Sequence, residues 1–201
     1  MRIEVCVPSA DDFRDAADEL KCATGLLTVT RAGVLAGANE CVAAFGDSFG
    51  NFCDPSVAER LSVNGRCTLH RVKSEIMAQH DGELPVGCAV MVTTPHPKRW
   101  LLVYAPIVRA LTVEDTEAGW GIAPYLAIRA VLRAVPAGMG VSLTLPGQPV
   151  ARACAQLRHA IASITDKSRR ACTSLDASLA AEDHRVLTGR GHKYGTRSIG
   201  C

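Results

Sequence analysis

Residues 100–108, WLLVYAPIV, constrain this chain more than any other stretch, because the run carries no charge and does not alternate. A strand with one wet face alternates apolar and polar residues, whereas an unbroken apolar run fits a strand covered on both faces. Residues 88–94, CAVMVTT, read the same way, and PHPKR between the two runs is a turn. Residues 141–145 form a third such run, stopped by Pro146 and Gly147. Helical patterns lie around it. Residues 121–134 place Leu126, Ala130 and Ala134 in one line, and residues 150–164 form another helix. Strands alternating with helices predict an α/β fold, a three-layer α/β/α sandwich around a mixed sheet.

The N-terminal half extends that pattern. Residues 3–7 read as a first strand ended by Pro8, and Ser9 caps a helix, ADDFRDAADEL, with Asp11 and Asp12 in its first turn. Residues 26–30 and 40–44 are further strands. Asp54 followed by Pro55 is a helix start, with a carboxylate cap and proline at the first position. That helix runs to Leu61 and breaks at Asn64-Gly65. The next puts Leu69, Val72, Ile76 and Met77 on one face and ends near Asp81-Gly82.

At 201 residues and 21.3 kDa the chain divides into one domain, residues 1–165, and a basic, Gly-rich tail, residues 166–201. The tail carries Arg185, Arg190, Lys193 and Arg197, reads as a solvated terminus, and holds a short helical stretch at 174–181. Net charge is only +2, which argues against nucleic acid as a partner. No run approaches about 18 apolar residues, which argues against a membrane span, and MRIEVCVPSADDF lacks a signal peptide's order of charge, apolar run and cleavage site. Nine cysteines show neither CxxC spacing nor a histidine at zinc-like spacing. The expectation is therefore a cytoplasmic protein with reduced thiols, no metal and no cofactor, in which Cys6, Cys41, Cys88 and Cys154 are buried. His70 and His80 are ten residues apart, unlike paired ligands, His159 and His184 read as surface residues, and His96 in its Pro-flanked turn reads as structural.

The chemistry concentrates in residues 40–57, ECVAAFGDSFGNFCDPSV. An apolar run there opens into a loop holding Gly46, Asp47, Ser48, Gly50, Asn51, Asp54 and Pro55, then a helix start. In α/β domains that geometry gathers free N–H groups and favours phosphates or carboxylates. The plainer reading of Asp47 and Ser48 is an Asx turn satisfying its own loop. Residues 82–94, GELPVGCAVMVTT, are the second distinctive stretch: Pro85 fixes the approach to a strand and Gly87 permits close backbone contact.

Taken in order, DSFG at 47–50, ELPVGCAV at 83–90, YAPIVR at 104–109 and YLAIRAVLRA at 125–134 resemble the macro domain family, particularly its bacterial and phage branch. The likeness spans residues 40–164. It implies a cleft formed by residues 47–54, 85–87 and 146–150 that binds ADP-ribose or a related nucleotide, with Ser48, Phe49, Gly50, Pro85, Val86, Gly87 and Gly147 as ligand contacts. If there is catalysis, it implies ADP-ribosyl hydrolysis with Asp47 or Asp54 as the base activating water. The chain departs from the family pattern in four places, one being the segment after Val29, TRAGVL, which lacks the acidic residue that usually contacts adenine. Asp47 replaces an asparagine, Asn51 to Ser56 replace a glycine run, and the last loop is only PGQPV. Binding is therefore expected to be weak and hydrolysis slow or absent. The alternative is a degenerate macro fold acting as a protein-interaction or assembly module, with Phe49, Phe52 or Pro55 filling the cleft.

Overall fold

The computed structural model describes residues 1–21, 25–110, 121–146 and 149–165. Gly147, the tail from residue 166, and Cys22, Cys172 and Cys201 lie outside the described residues. Six strands form one mixed sheet in the order β2-β1-β6-β3-β5-β4. They are β1 (Ile3–Cys6), β2 (Leu27–Thr30), β3 (Cys41–Asp47), β4 (Val90–Thr93), β5 (Leu101–Val108) and β6 (Val141–Leu143). All neighbours pair in parallel except β4, which runs antiparallel to β5. The helices are α1 (Ala10–Leu20), α2 (Pro55–Leu61), α3 (Thr68–His80), α4 (Ala123–Ala134) and α5 (Val150–Thr165).

Two apolar layers follow from the period of the strands. Ile3, Val5, Cys41, Ala43, Phe45, Val103 and Ala105 point to one face, under Ala16 and Leu20 of α1, Ile128 and Val131 of α4, and Leu157 of α5. Val42, Ala44, Leu102 and Tyr104 point to the other, under Val57 and Leu61 of α2 and Val72 and Ile76 of α3. Every residue of β3 is buried, and all of β5 except Val108, as continuous apolar runs require in the middle of a covered sheet.

The caps read from the sequence form. Ser9 accepts from the Asp12 N–H at 3.4 Å, and Asp54 accepts from the Ser56 N–H at 3.0 Å with Pro55 opening α2. The last turn of α3 closes through left-handed Asp81, φ 52°, and Gly82, φ 91°, whose N–H reaches the Ile76 carbonyl. His96 accepts at Nδ1 from the Lys98 and Arg99 N–H groups, a structural role in its turn.

Three sequence expectations need correction. Residues 88–94 are not covered on both faces. β4 is the edge strand, and Met91 is exposed while Val90 and Val92 are buried. Met77 does not share the packed face of α3; it is 63% exposed, one residue round from buried Ile76. Cys88, expected in the core, is exposed because it lies in the turn before β4, whereas Cys6, Cys41 and Cys154 are buried. Burial pushes the thiols of Cys6 and Cys41 up to about 12, and that of Cys154 to about 11. Among the described residues every cysteine is free, no helix is long and apolar enough to cross a membrane, and no cluster of three or more His, Cys, Asp or Glu could hold a metal.

The second face of β1 and β6 is packed differently. Glu4 on β1 faces Ser142 on β6, and the segment between β2 and β3 closes over them. Glu4 Oε2 accepts from Ser142 Oγ at 2.7 Å and from the Ala38 N–H at 2.6 Å, while Oε1 accepts from Thr30 Oγ1 at 3.0 Å. Asn39 Nδ2 lies 3.2 Å from Ser142 Oγ, and Arg99 donates from Nε to the Leu35 carbonyl and from Nη2 to that of Gly37. Burial alone would raise the Glu4 carboxyl, but the bonds from Ser142, Ala38 and Thr30 outweigh it and hold the group below its ordinary range.

Candidate functional site

Sheet order sets the location of the site. β3 connects onward to β4 and β5 on one side, while β6 returns to its other side beside β1, so parallel β3 and β6 adjoin where the strand order switches. Ligands of open α/β sheets bind at the carboxyl ends of the strands at such points. The loop that leaves β3, residues 48–54, is there.

Its conformation is fixed by Asp47. One oxygen of that carboxylate accepts from the N–H groups of Phe49 and Asn51, both at 2.9 Å, and the other accepts from Asn51 Nδ2 at 2.7 Å. Asn51 Oδ1 in turn accepts from Lys73 Nζ at 2.8 Å, which fixes the orientation of the amide. Three donors converge on an acceptor-only group, so an ionised aspartate fits this position. An asparagine there would turn an NH₂ group against the Asn51 amide. Asp47 is 2% exposed.

Tyr104 on β5 braces the same loop. Its hydroxyl lies 2.7 Å from the Asp47 carbonyl and 2.9 Å from that of Asn51, and its ring meets Phe52 with centroids 5.0 Å apart. Burial first, and then the charge of Asp47, raise the phenol above its ordinary value, so it is a fixed donor. Phe52 is itself buried, and it forms a wall of two hollows. One, about 140 Å³, lies at the ends of β3 and β6; the other, about 480 Å³, lies outside α2 against Pro55, Ala58 and Leu69.

The remaining candidates fall into separate groups. Ser48 is buried, donating its N–H to the Val108 and Arg109 carbonyls at 3.1 Å and accepting the Leu84 N–H at 2.8 Å. Phe49 is 38% exposed beneath the Arg109 guanidinium, which is paired with Glu83 at 2.7 Å. Gly50, φ 83°, is pressed against α3, where a Cβ would meet Lys73 and Ile76 at 3.1 and 3.2 Å. Pro85 and Gly87 are exposed and Val86 half-buried. Gly87, φ 95°, lies in a tight turn closed by the Cys88 N–H on the Pro85 carbonyl, near Leu126 of α4. Asp54 and Pro146 line the smaller hollow together, but none of Ser48, Phe49, Gly50 or Pro85 to Gly87 lines it. Gly147 lies outside the described residues.

The chemical capacity of the loop is thus limited by its own bonding. The N–H groups of Phe49, Gly50 and Asn51 point back to Asp47, that of Cys53 to the Phe45 carbonyl, and those of Ser56 and Val57 to Asp54. Sequence reasoning singled out Asp47 but missed Tyr104, Asn51 and Lys73 as its partners. The available signal was a lone tyrosine hydroxyl inside an aliphatic strand. No protein-family model matches the chain, and no curated protein matches it.

Structural roles for both carboxylates have distinct expected costs. Asp47→Ala removes a buried acceptor from three part-buried donors and should lower stability by about 2–4 kcal/mol. Asp54→Ala, the loss of an exposed helix cap, should cost about 1 kcal/mol. Urea unfolding checks both, and equal losses would contradict the assignment.

Proposed function

We propose that the protein is a macro-domain-like module that holds an ADP-ribose-type nucleotide weakly and does not hydrolyse it. One observation carries this reading: the loop amides and the Asp47 carboxylate satisfy one another. The location at the ends of β3 and β6 supports nucleotide binding in general. The inward-turned loop argues against tight phosphate recognition, and a base needs a carboxylate not already shared among three donors.

Each hydrogen bond to a charged group that is not made removes about 1.5–3 kcal/mol. Two such losses move a micromolar dissociation constant to roughly the hundred-micromolar to millimolar range. Calorimetric titration with ADP-ribose should therefore give binding in or beyond that range, and incubation with an ADP-ribosylated peptide should release no ADP-ribose. Low-micromolar binding, or turnover lost in Asp47→Asn, would overturn the reading.

A second reading, a protein-interaction or assembly module on the same fold, is favoured by Phe52, which packs on Tyr104 where a ligand cleft would need space. The absence of any ADP-ribose binding would select it. The cysteine usage supports a reducing, cytoplasmic setting for either reading.

A further inference from the structure

The three helices on one face of the sheet divide by charge. α5 lies between α1 and α4 and packs on both. α1 and the residue after it carry Asp11, Asp12, Asp15, Asp18 and Glu19 against Arg14 and Lys21, whereas residues 118–165 contain no aspartate or glutamate. α4 carries Arg129 and Arg133 one turn apart, a spacing at which like charges repel. Among the described residues neither arginine has an acidic partner, and the Nε of Arg129 is buried without a hydrogen-bond partner. Asp15, exposed on α1, is unpaired in the same sense. The arginines of the central helix are turned aside: Arg158 pairs with Glu19 at 3.1 Å and Arg152 reaches the Gly121 carbonyl at 3.5 Å. α5 thereby exposes Ala151, His159 and Ala162 in the middle of the face.

We infer that this face is the interface of a two-fold dimer, in which α1 of each copy lies against α4 of the other. Charge complementarity selects the occupant. A partner of one sign answers only one end of the face: an anionic one meets Arg129 and Arg133 but is repelled by the acids of α1, and a cationic one the reverse. A second copy brings both ends at once. The same pattern selects the orientation. Two such faces meet only about an axis lying in the plane between them. An axis along α5 exchanges the ends, so that α1 meets α4 twice and every such contact is between opposite charges. An axis across the helices would set α1 on α1 and α4 on α4, acid against acid and arginine against arginine. Two-fold pairing is also the commonest closed symmetry of soluble proteins. The face uses none of the loop that leaves β3, and the inference goes beyond the nucleotide reading and does not rest on it.

The test is sedimentation of the intact chain at about 100 µM, where a micromolar dissociation constant leaves mostly dimer. The parent should sediment as a dimer at low salt, and its dissociation constant should rise about tenfold or more between roughly 0.05 and 0.5 M salt. Reversing one end, by Arg129→Glu with Arg133→Glu or by Asp15→Lys with Asp18→Lys, should leave a monomer. Mixing the two reversed proteins should restore a dimer holding one of each, because both α1–α4 contacts are then again between opposite charges. Thermal melts show whether each variant folds. Should a reversal fail to fold, Arg129→Gln with Arg133→Gln takes its place and should weaken association about tenfold. A parent that stays monomeric at low salt would overturn the inference, including one that binds a poly-glutamate probe through α4. Reversed variants that dimerise as the parent does, or a mixture that stays monomeric, would overturn it as well.

Discussion

Glu4→Ala should destabilise the domain by about 3–5 kcal/mol, the range for breaking a buried, fully partnered charge. The carboxylate is 8% exposed and gathers the Ser142 and Thr30 hydroxyls and the Ala38 N–H. Alanine fills none of that space and leaves the buried Ser142 hydroxyl, with the part-buried Thr30 hydroxyl and Ala38 N–H, without this acceptor. The effect carries a pH signature. The folded carboxyl sits below its ordinary value near 4.5, so its contribution is fully present above that value. It is lost as pH falls through the lower folded value. Urea unfolding from neutral pH down to pH ~3 should show the wild-type stability falling more steeply than that of Glu4→Gln. Parallel curves would mean the carboxylate is solvated and the network is incidental.

Gly46→Ala should cost a similar amount, about 3–5 kcal/mol, or prevent folding. A Cβ there would lie 1.9 Å from the Asn51 carbonyl oxygen and 2.2 Å from the Tyr104 hydroxyl. Neither neighbour can retreat. The Asn51 carbonyl accepts the Asp47 N–H, and Tyr104 is wedged against Phe52 in the core. Gly33→Ala is the matched control, since nothing lies within 4 Å of its Cβ, and it should stay within about 0.5 kcal/mol of the parent. Tyr104→Phe should not rescue Gly46→Ala, because the Asn51 carbonyl still blocks the methyl. Thermal melts of the variants check the order, and a Gly46→Ala protein as stable as Gly33→Ala would show that the loop is not braced as described.

Both sites expose the limits of a linear reading. The sequence marks Gly46 only as one residue of a Gly/Asp/Ser loop. That Asn51 folds back on it depends on a carboxylate four residues earlier and on a tyrosine 53 residues later, which no local pattern couples. Glu4 reads as a lone charge in a short strand. Its partners come from residues 30, 38 and 142, brought together by parallel pairing of β1 with β2 and β6. Asp54 is the contrasting case. Its cap uses only Ser56 and Pro55, so the dipeptide alone identified it. The misreading of residues 88–94 has the same origin, because an apolar run reports hydrophobicity and not whether a strand lies in the middle of a sheet or at its edge. The turn before β4, which exposes Cys88, is also set by where β4 joins the sheet.

What the sequence determined by itself was everything governed by short-range periodicity and capping. That includes the alternation of strands and helices, the continuous apolar runs of β3 and β5, the helix starts at Ser9 and Asp54, and the helix stop at Asp81-Gly82. These depend on side-chain spacing and backbone dihedrals within a few residues, which are present in the chain before it folds. Tertiary structure decided the order of the strands, the exposed edge at β4, and the closure of the Asp47 loop on Tyr104 and Lys73. Each depends on parallel pairings and contacts between residues far apart in the sequence, whose energies exist only once the layers have packed.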